Sequence, residues 1–180
     1  MNTMKQIFAT CLFCTLVFAT SFCKQKKEED KGYIVQVGQQ APDFELTTTE
    51  GKTFRLAEQR GKVVMLQFTA SWCGVCRKEM PHIESEIWLP LKEKDFVLVG
   101  IDRDEPMNVV RGFAEKMKIT YPLAPDSAAR VFGLYAKKEA GITRNVIIDR
   151  EGKIVFLTRL YDVEEFNKMK EVINSLISKP

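Results

Sequence analysis

Apolar residues follow two rhythms along this chain. Val63-Val64-Met65-Leu66-Gln67-Phe68 and Phe96-Val97-Leu98-Val99-Gly100-Ile101 are nearly unbroken apolar runs. Such runs predict strands covered on both faces. Phe44–Thr47 and Thr53–Leu56 alternate around Glu50-Gly51-Lys52, which predicts a β-hairpin. Asn145–Asp149 and Lys153–Leu157 flank Arg150-Glu151-Gly152 and predict a second one. The other rhythm is helical. Met80, Ile83, Ile87 and Leu91 give one apolar face to a helix from Cys73 to about Leu91, which Pro81 should kink. Phe166, Met169, Val172, Ile173 and Leu176 do the same for Val163–Ser178, with Asp162 as its cap. Glu105-Pro106 opens a helix to about Met117. Tyr121–Leu123 reads as a short extended piece, and Ser127 to Tyr135 as a short helix. The order is ββ, βαβα, then ββα. It predicts an α/β fold with a parallel central core, helices on both faces and an antiparallel edge.

The first 23 residues break this pattern. A short polar start with Lys5 precedes the uncharged, largely apolar Ile7–Ala19, the length of a secretory h-region and short for a membrane span. Cys23 and the charged stretch Lys24–Asp30 follow. Leader, Cys and charged linker together resemble a bacterial lipoprotein signal, which implies lipidation at Cys23. Phe22 departs from the small residue usual before that Cys, so cleavage near Ala19 or an uncleaved anchor stay open. The expected organisation is leader 1–23, linker 24–35 and one domain 36–180. The expected location is outside the cytoplasm, in the periplasm or cell envelope, tethered to a membrane. A net charge of +3 with no basic stripe gives no support for nucleic-acid binding.

Cys11 and Cys14 lie in the apolar segment and read as small apolar residues. With the leader set aside, Cys73 and Cys76 are the only cysteines left. They sit in Trp72-Cys73-Gly74-Val75-Cys76, between a predicted strand and a predicted helix. There the helix N-terminus brings unpaired N–H groups to the first sulfur and favours its thiolate. Zinc would need about four ligands, and the chain adds only His82. A purely structural disulfide this short would restrain almost nothing. Dithiol–disulfide redox chemistry is the expectation, a metal-binding module its non-enzymatic rival. His82, on the motif helix, reads as a surface or boundary residue rather than a general base.

Ala41-Pro42-Asp43-Phe44, Gly61-Lys62-Val63-Val64, the Trp-Cys-x-x-Cys motif, Glu79-Met80-Pro81 and Ile147–Lys153 together resemble the thioredoxin-like superfamily. The likeness covers roughly residues 36 to 175. It is strongest to exported, membrane-tethered thiol-disulfide oxidoreductases related to the cytochrome-c-maturation reductases. The same features recur in the AhpC/TSA (peroxiredoxin) branch. The resemblance implies a thioredoxin-like fold with a mixed sheet and an N-terminal hairpin extension. Cys73 would attack and Cys76 resolve, with no cofactor beyond their disulfide. Trp72 would rim the sulfurs, while Gly74 and Val75 would set local geometry and redox poise. Pro81 would complete the surround. Protein disulfides as substrates, a membrane electron donor and a monomeric state are also implied.

Two positions depart from the family pattern. Gln67 stands where thioredoxins have a buried Asp that takes the resolving thiol's proton. Glu79, one helical turn past Cys76, or water would have to replace it; the plainer expectation for Glu79 is a solvated first-turn carboxylate. Thr143, in Gly141-Ile142-Thr143-Arg144, stands where the family has a cis-Pro. A non-proline cis bond costs about 2.5–4 kcal/mol, so a trans Ile142–Thr143 peptide is expected. Ile142, Thr143 and Arg144 would form the substrate side of the site. Arg144 could lower the Cys73 pKa as in a peroxiredoxin-like thiol peroxidase, the rival enzyme reading, or lie exposed at a strand start.

Overall fold

The computed structural model describes residues 31–178. A hairpin of β1 (Glu45–Thr47) and β2 (Thr53–Arg55) precedes the buried strand β3 (Val63–Thr69). Helix α1 (Gly74–Ile83) runs through a π-helical turn, Glu84–Trp88, into α2 (Leu89–Leu91). Then come β4 (Phe96–Arg103), α3 (Met107–Met117), β5 (Leu123–Asp126), α4 (Phe132–Tyr135), β6 (Arg144–Ile148), β7 (Ile154–Arg159) and α5 (Val163–Ser178). The main sheet has the order β5-β4-β3-β6-β7. β3, β4 and β5 are parallel, whereas β6 and β7 join antiparallel. The hairpin forms its own two-stranded sheet. A mixed sheet with an N-terminal hairpin is the architecture expected.

Alternation along β3 sorts the core. Val64, Leu66 and Phe68 face the side covered by the hairpin and α4, with Phe44, Phe54, Phe132 and Tyr135. Val63 and Met65 face Met80, Ile83, Val110, Phe113, Phe166, Met169 and Ile173 of α1, α3 and α5. The three longer helices therefore share one face.

The β6–β7 turn is set by side-chain chemistry. Asp149 Oδ1 accepts from the backbone N–H groups of Glu151 and Lys153. Gly152 adopts φ 81°, where a side chain would also strike Arg60. Asp162 caps α5 through Glu165 N–H at 2.9 Å.

Four expectations need correction. The linker does not extend to residue 35: Tyr33 bridges Ala136, Val35 is buried and Ile34 N–H donates to the Tyr135 carbonyl. Pro106 caps α3 from outside rather than opening it. Residues 127–131 are not helical, because Asp126 draws the Arg130 and Phe132 N–H groups to its carboxylate and Ala129 takes φ 49°. The α-helical pattern breaks at Glu84–Trp88, after Pro81, in the π turn. That turn directs Glu84 at Thr120, whose N–H and hydroxyl donate to it at 2.9 and 2.6 Å. Cys11, Cys14 and Cys23 lie outside the described residues.

Gly100 lies between Gln67 on β3 and Leu123 on β5. A Cβ there would fall 2.2 Å from Leu123 Cδ2, in a fully buried position. Gly100→Ala is expected to cost about 1–3 kcal/mol by overpacking, read as a lower midpoint in chemical denaturation.

Candidate active site

β3 ends at Thr69, and α1 begins within five residues of it. The turn between them lays the two cysteines across the N-terminus of α1. Cys73 is the N-cap: its Sγ accepts from Cys76 N–H at 3.2 Å. The two sulfurs form a disulfide, with Cα atoms 5.3 Å apart. Cys73 is partly exposed and Cys76 is fully buried, an asymmetry suited to an attacking and a resolving thiol.

The β3–β6 pairing delivers the opposite wall. It sets Asn145 against Gln67 and Arg144 against Phe68, so Thr143 emerges beside the cysteines. Thr143 is buried, and its hydroxyl lies 3.2 Å from both Cys73 Sγ and Cys76 Sγ. No peptide bond in the described residues is cis, so the Ile142–Thr143 bond is trans as expected. Ile142 packs with Ala70 and Cys76. Trp72 is 61% exposed beside the sulfurs. Gly74 is the exposed first residue of α1, Val75 is half-buried, and Pro81 is exposed about two turns on.

Glu79 is not a solvated carboxylate. Only 1% of it is exposed, and its Oε1 accepts from Asn145 Nδ2 at 2.6 Å. Gln67 lies beside it and spends its carbonyl on Tyr121, whose hydroxyl donates at 2.7 Å, while its amide faces Glu79. Burial pushes the Glu79 carboxyl from an ordinary 4.5 up to about 7, against the Asn145 and Gln67 amides, which pull it down. Asn145 also donates to Thr158 Oγ1 at 2.9 Å, completing a buried polar cluster behind the disulfide. Asn145 and Tyr121 were not anticipated as site residues. The available signal was an Asn opening the apolar run Val146-Ile147-Ile148, a polar group that a buried strand must satisfy.

Arg144 occupies neither expected position. Pairing with Phe68 turns it to the hairpin face of the sheet, where it is fully buried. Its Nε donates to the Gly141 carbonyl and its Nη1 to the Lys31 carbonyl, and its guanidinium lies 4.5 Å from the Tyr33 ring centroid. It is a buried brace for the N-terminal segment rather than an exposed Arg or a partner of the thiolate. His82 is half-exposed, 2.9 Å from Glu86 and stacked on Tyr161. No group of three or more metal-binding side chains occurs among the described residues.

The family model of AhpC/TSA matches residues 37–157. The chain belongs to the AhpC/TSA family. The thiol-disulfide oxidoreductase ResA of Bacillus anthracis is 34% identical over 121 residues, 67% of this chain and 68% of that protein. A solution structure from Bacteroides thetaiotaomicron, of a candidate protein disulfide isomerase, is 60% identical. It superposes with a TM-score of 0.80 over 82% of this chain and 94% of its own. A candidate thiol:disulfide interchange protein DsbE from Chlorobium tepidum is 26% identical, with a TM-score of 0.69 over 80% of this chain and 99% of its own. These likenesses bear out the thioredoxin-like fold and the oxidoreductase class. No helix of the described residues is long and apolar enough to cross a membrane.

The Glu79 environment has a measurable consequence. The folded protein holds this proton more tightly than the unfolded chain does. The stability it confers is complete below about pH 4.5 and is lost as pH rises towards about 7. Glu79→Gln is expected to exceed the wild type by up to about 3 kcal/mol near pH 8 and to match it in acid, at about 1.36 kcal/mol per pH unit. Denaturation midpoints at the two pH values check this.

Proposed function

We propose that this chain reduces disulfides of other proteins outside the cytoplasm, cycling between the Cys73–Cys76 dithiol and disulfide. The carrying observation is the disulfide itself: a partly exposed sulfur at a helix N-terminus, bonded to a buried one, with one hydroxyl 3.2 Å from both. In the reduced enzyme the Cys73 thiolate attacks a substrate disulfide and expels one substrate sulfur as thiolate. The Thr143 hydroxyl and the α1 N-terminus stabilise the Cys73 charge before attack. Cys76 then gives up its proton and attacks Cys73 Sγ, which breaks the mixed disulfide and releases the second substrate thiolate. The substrate takes the two electrons of the dithiol and leaves as two thiolates, which pick up through solvent the protons that Cys73 and Cys76 gave up, and Cys73–Cys76 becomes the disulfide. A membrane-borne dithiol donor returns the pair to its reduced state.

Gln67 cannot take the Cys76 proton, and Glu79 replaces it. Glu79 lies one turn beyond Cys76 on α1, buried, with its carboxyl raised to about 7, suited to proton transfer near neutral pH. The exported, lipid-tethered location rests on the leader and Cys23. The peroxidase reading loses its support with Arg144 committed to the far side of the sheet.

A Cys76→Ser variant expressed with its leader should accumulate mixed disulfides on Cys73 with envelope proteins. These should be absent from the Cys73→Ser variant and dissolve on reduction; recovery of none sinks the proposal. Thr143→Val should slow alkylation of reduced Cys73 at neutral pH by about tenfold. That is the scale of a lost hydrogen bond to a charged sulfur, about 1.5–3 kcal/mol. An unchanged rate removes Thr143 from the mechanism.

A further inference from the structure

Ser71, two residues before Cys73, is held at every polar atom by a charged side chain. Its backbone N–H and its hydroxyl donate to the two oxygens of Glu105, both at 2.6 Å. Its carbonyl accepts from Arg77 Nη1 on α1, also at 2.6 Å. Glu105 is buried in the turn after β4, where its own carbonyl is held by the Ser127 hydroxyl at 3.0 Å. The start of the turn that carries Trp72 and Cys73 is thus fastened to β4 on one side and to α1 on the other.

Asp102 makes this clamp more than a static brace. It lies on β4 opposite Thr69, has no exposed surface, and neither of its oxygens meets a donor. An ionised carboxylate in that position costs several kcal/mol. Its neighbour Glu105 is itself an acceptor. One proton resolves both demands. Protonated Asp102 donates to Glu105, whose two oxygens go on accepting from Ser71. Burial and the Glu105 carboxylate push Asp102 up to about 8, in accord with that arrangement. The surrounding charges are committed elsewhere. Arg103 of β4 binds Asp104 and the Lys138 and Ala140 carbonyls, and Asp126 of β5 accepts from Arg130 and Phe132 N–H. Arg77 of α1 holds Ser71. Thr69 on β3 and the first turn of α3, Met107 to Val110, add none.

We propose that Asp102 and Glu105, sharing one proton, are positioning residues that fix Ser71-Trp72-Cys73 and through them set the reactivity of Cys73. Loss of the proton places two anions side by side and loosens the grip on Ser71. It also adds negative charge at the base of the Cys73 turn, which opposes the thiolate. The inference rests on Cys73 being the attacking thiol, but the clamp operates in the reduced protein with no substrate present.

The test is the rate of Cys73 alkylation by iodoacetamide against pH, in reduced protein, with the site of modification confirmed by mass spectrometry. The wild type should show a second inflection near pH 8, above which its rate lies about threefold below that of Asp102→Asn, the scale of a partly screened charge pair. Asp102→Asn keeps a donor for Glu105 but cannot ionise, so its profile should be a single sigmoid. Glu105→Gln removes the neighbouring anion, so the second inflection should move to lower pH. A wild-type profile that superimposes on that of Asp102→Asn overturns the proposal, as does an inflection unmoved in Glu105→Gln. Should one variant fold poorly by thermal melting, the other still decides. Failure to reduce protein disulfides would count against the proposed function and leave this profile untouched.

Discussion

The antiparallel pairing of β3 with β6 is the constraint on which the site depends. It brings a segment 70 residues away in sequence under the N-terminus of α1, through the registers Gln67–Asn145 and Phe68–Arg144. Period-two alternation then assigns each side chain a face. Thr143 meets the sulfurs, Asn145 meets Glu79, and Arg144 is sent to the other side of the sheet. A one-residue slip would exchange these roles, placing a guanidinium where a hydroxyl now stands.

Behind the disulfide the protein keeps a costly group. Glu79 is buried with one amide bonded to it and one oxygen without a donor. A fold optimised for stability would place an apolar residue there. The proposed function gives that cost a return: a carboxyl raised to about 7, one helical turn from a buried thiol, would exchange a proton with it.

Elements with a clear apolar period were legible from the sequence: β3, β4, both hairpins, α1 and α5. The cysteine pair was legible because strand, Cys-x-x-Cys and helix coincide. Legibility failed where one side chain's tertiary partner decided the outcome. Asp126 reads as a loop residue until its carboxylate is seen on two N–H groups, which prevents the helix expected over 127–131. Glu79 reads as solvated because nothing local announces that Asn145 will lie across from it. Arg144 reads as exposed or catalytic because Arg is seldom fully buried, and only the strand register reveals the Tyr33 ring and the carbonyls that hold it.

The central claim is that a buried carboxyl, rather than the absent aspartate, serves the resolving thiol. The most direct measurement is a single-turnover rate. A mixed disulfide is preformed between Cys73 and a small aromatic thiol, and release of that thiol is followed by absorbance from about pH 5 to about pH 9, a range that brackets the Glu79 titration. The wild-type rate should rise through about pH 7 and then level, following Glu79. The Glu79→Gln rate should be about a hundredfold lower at neutral pH, within the range of a lost general base. Coincident profiles for the two proteins would contradict the claim.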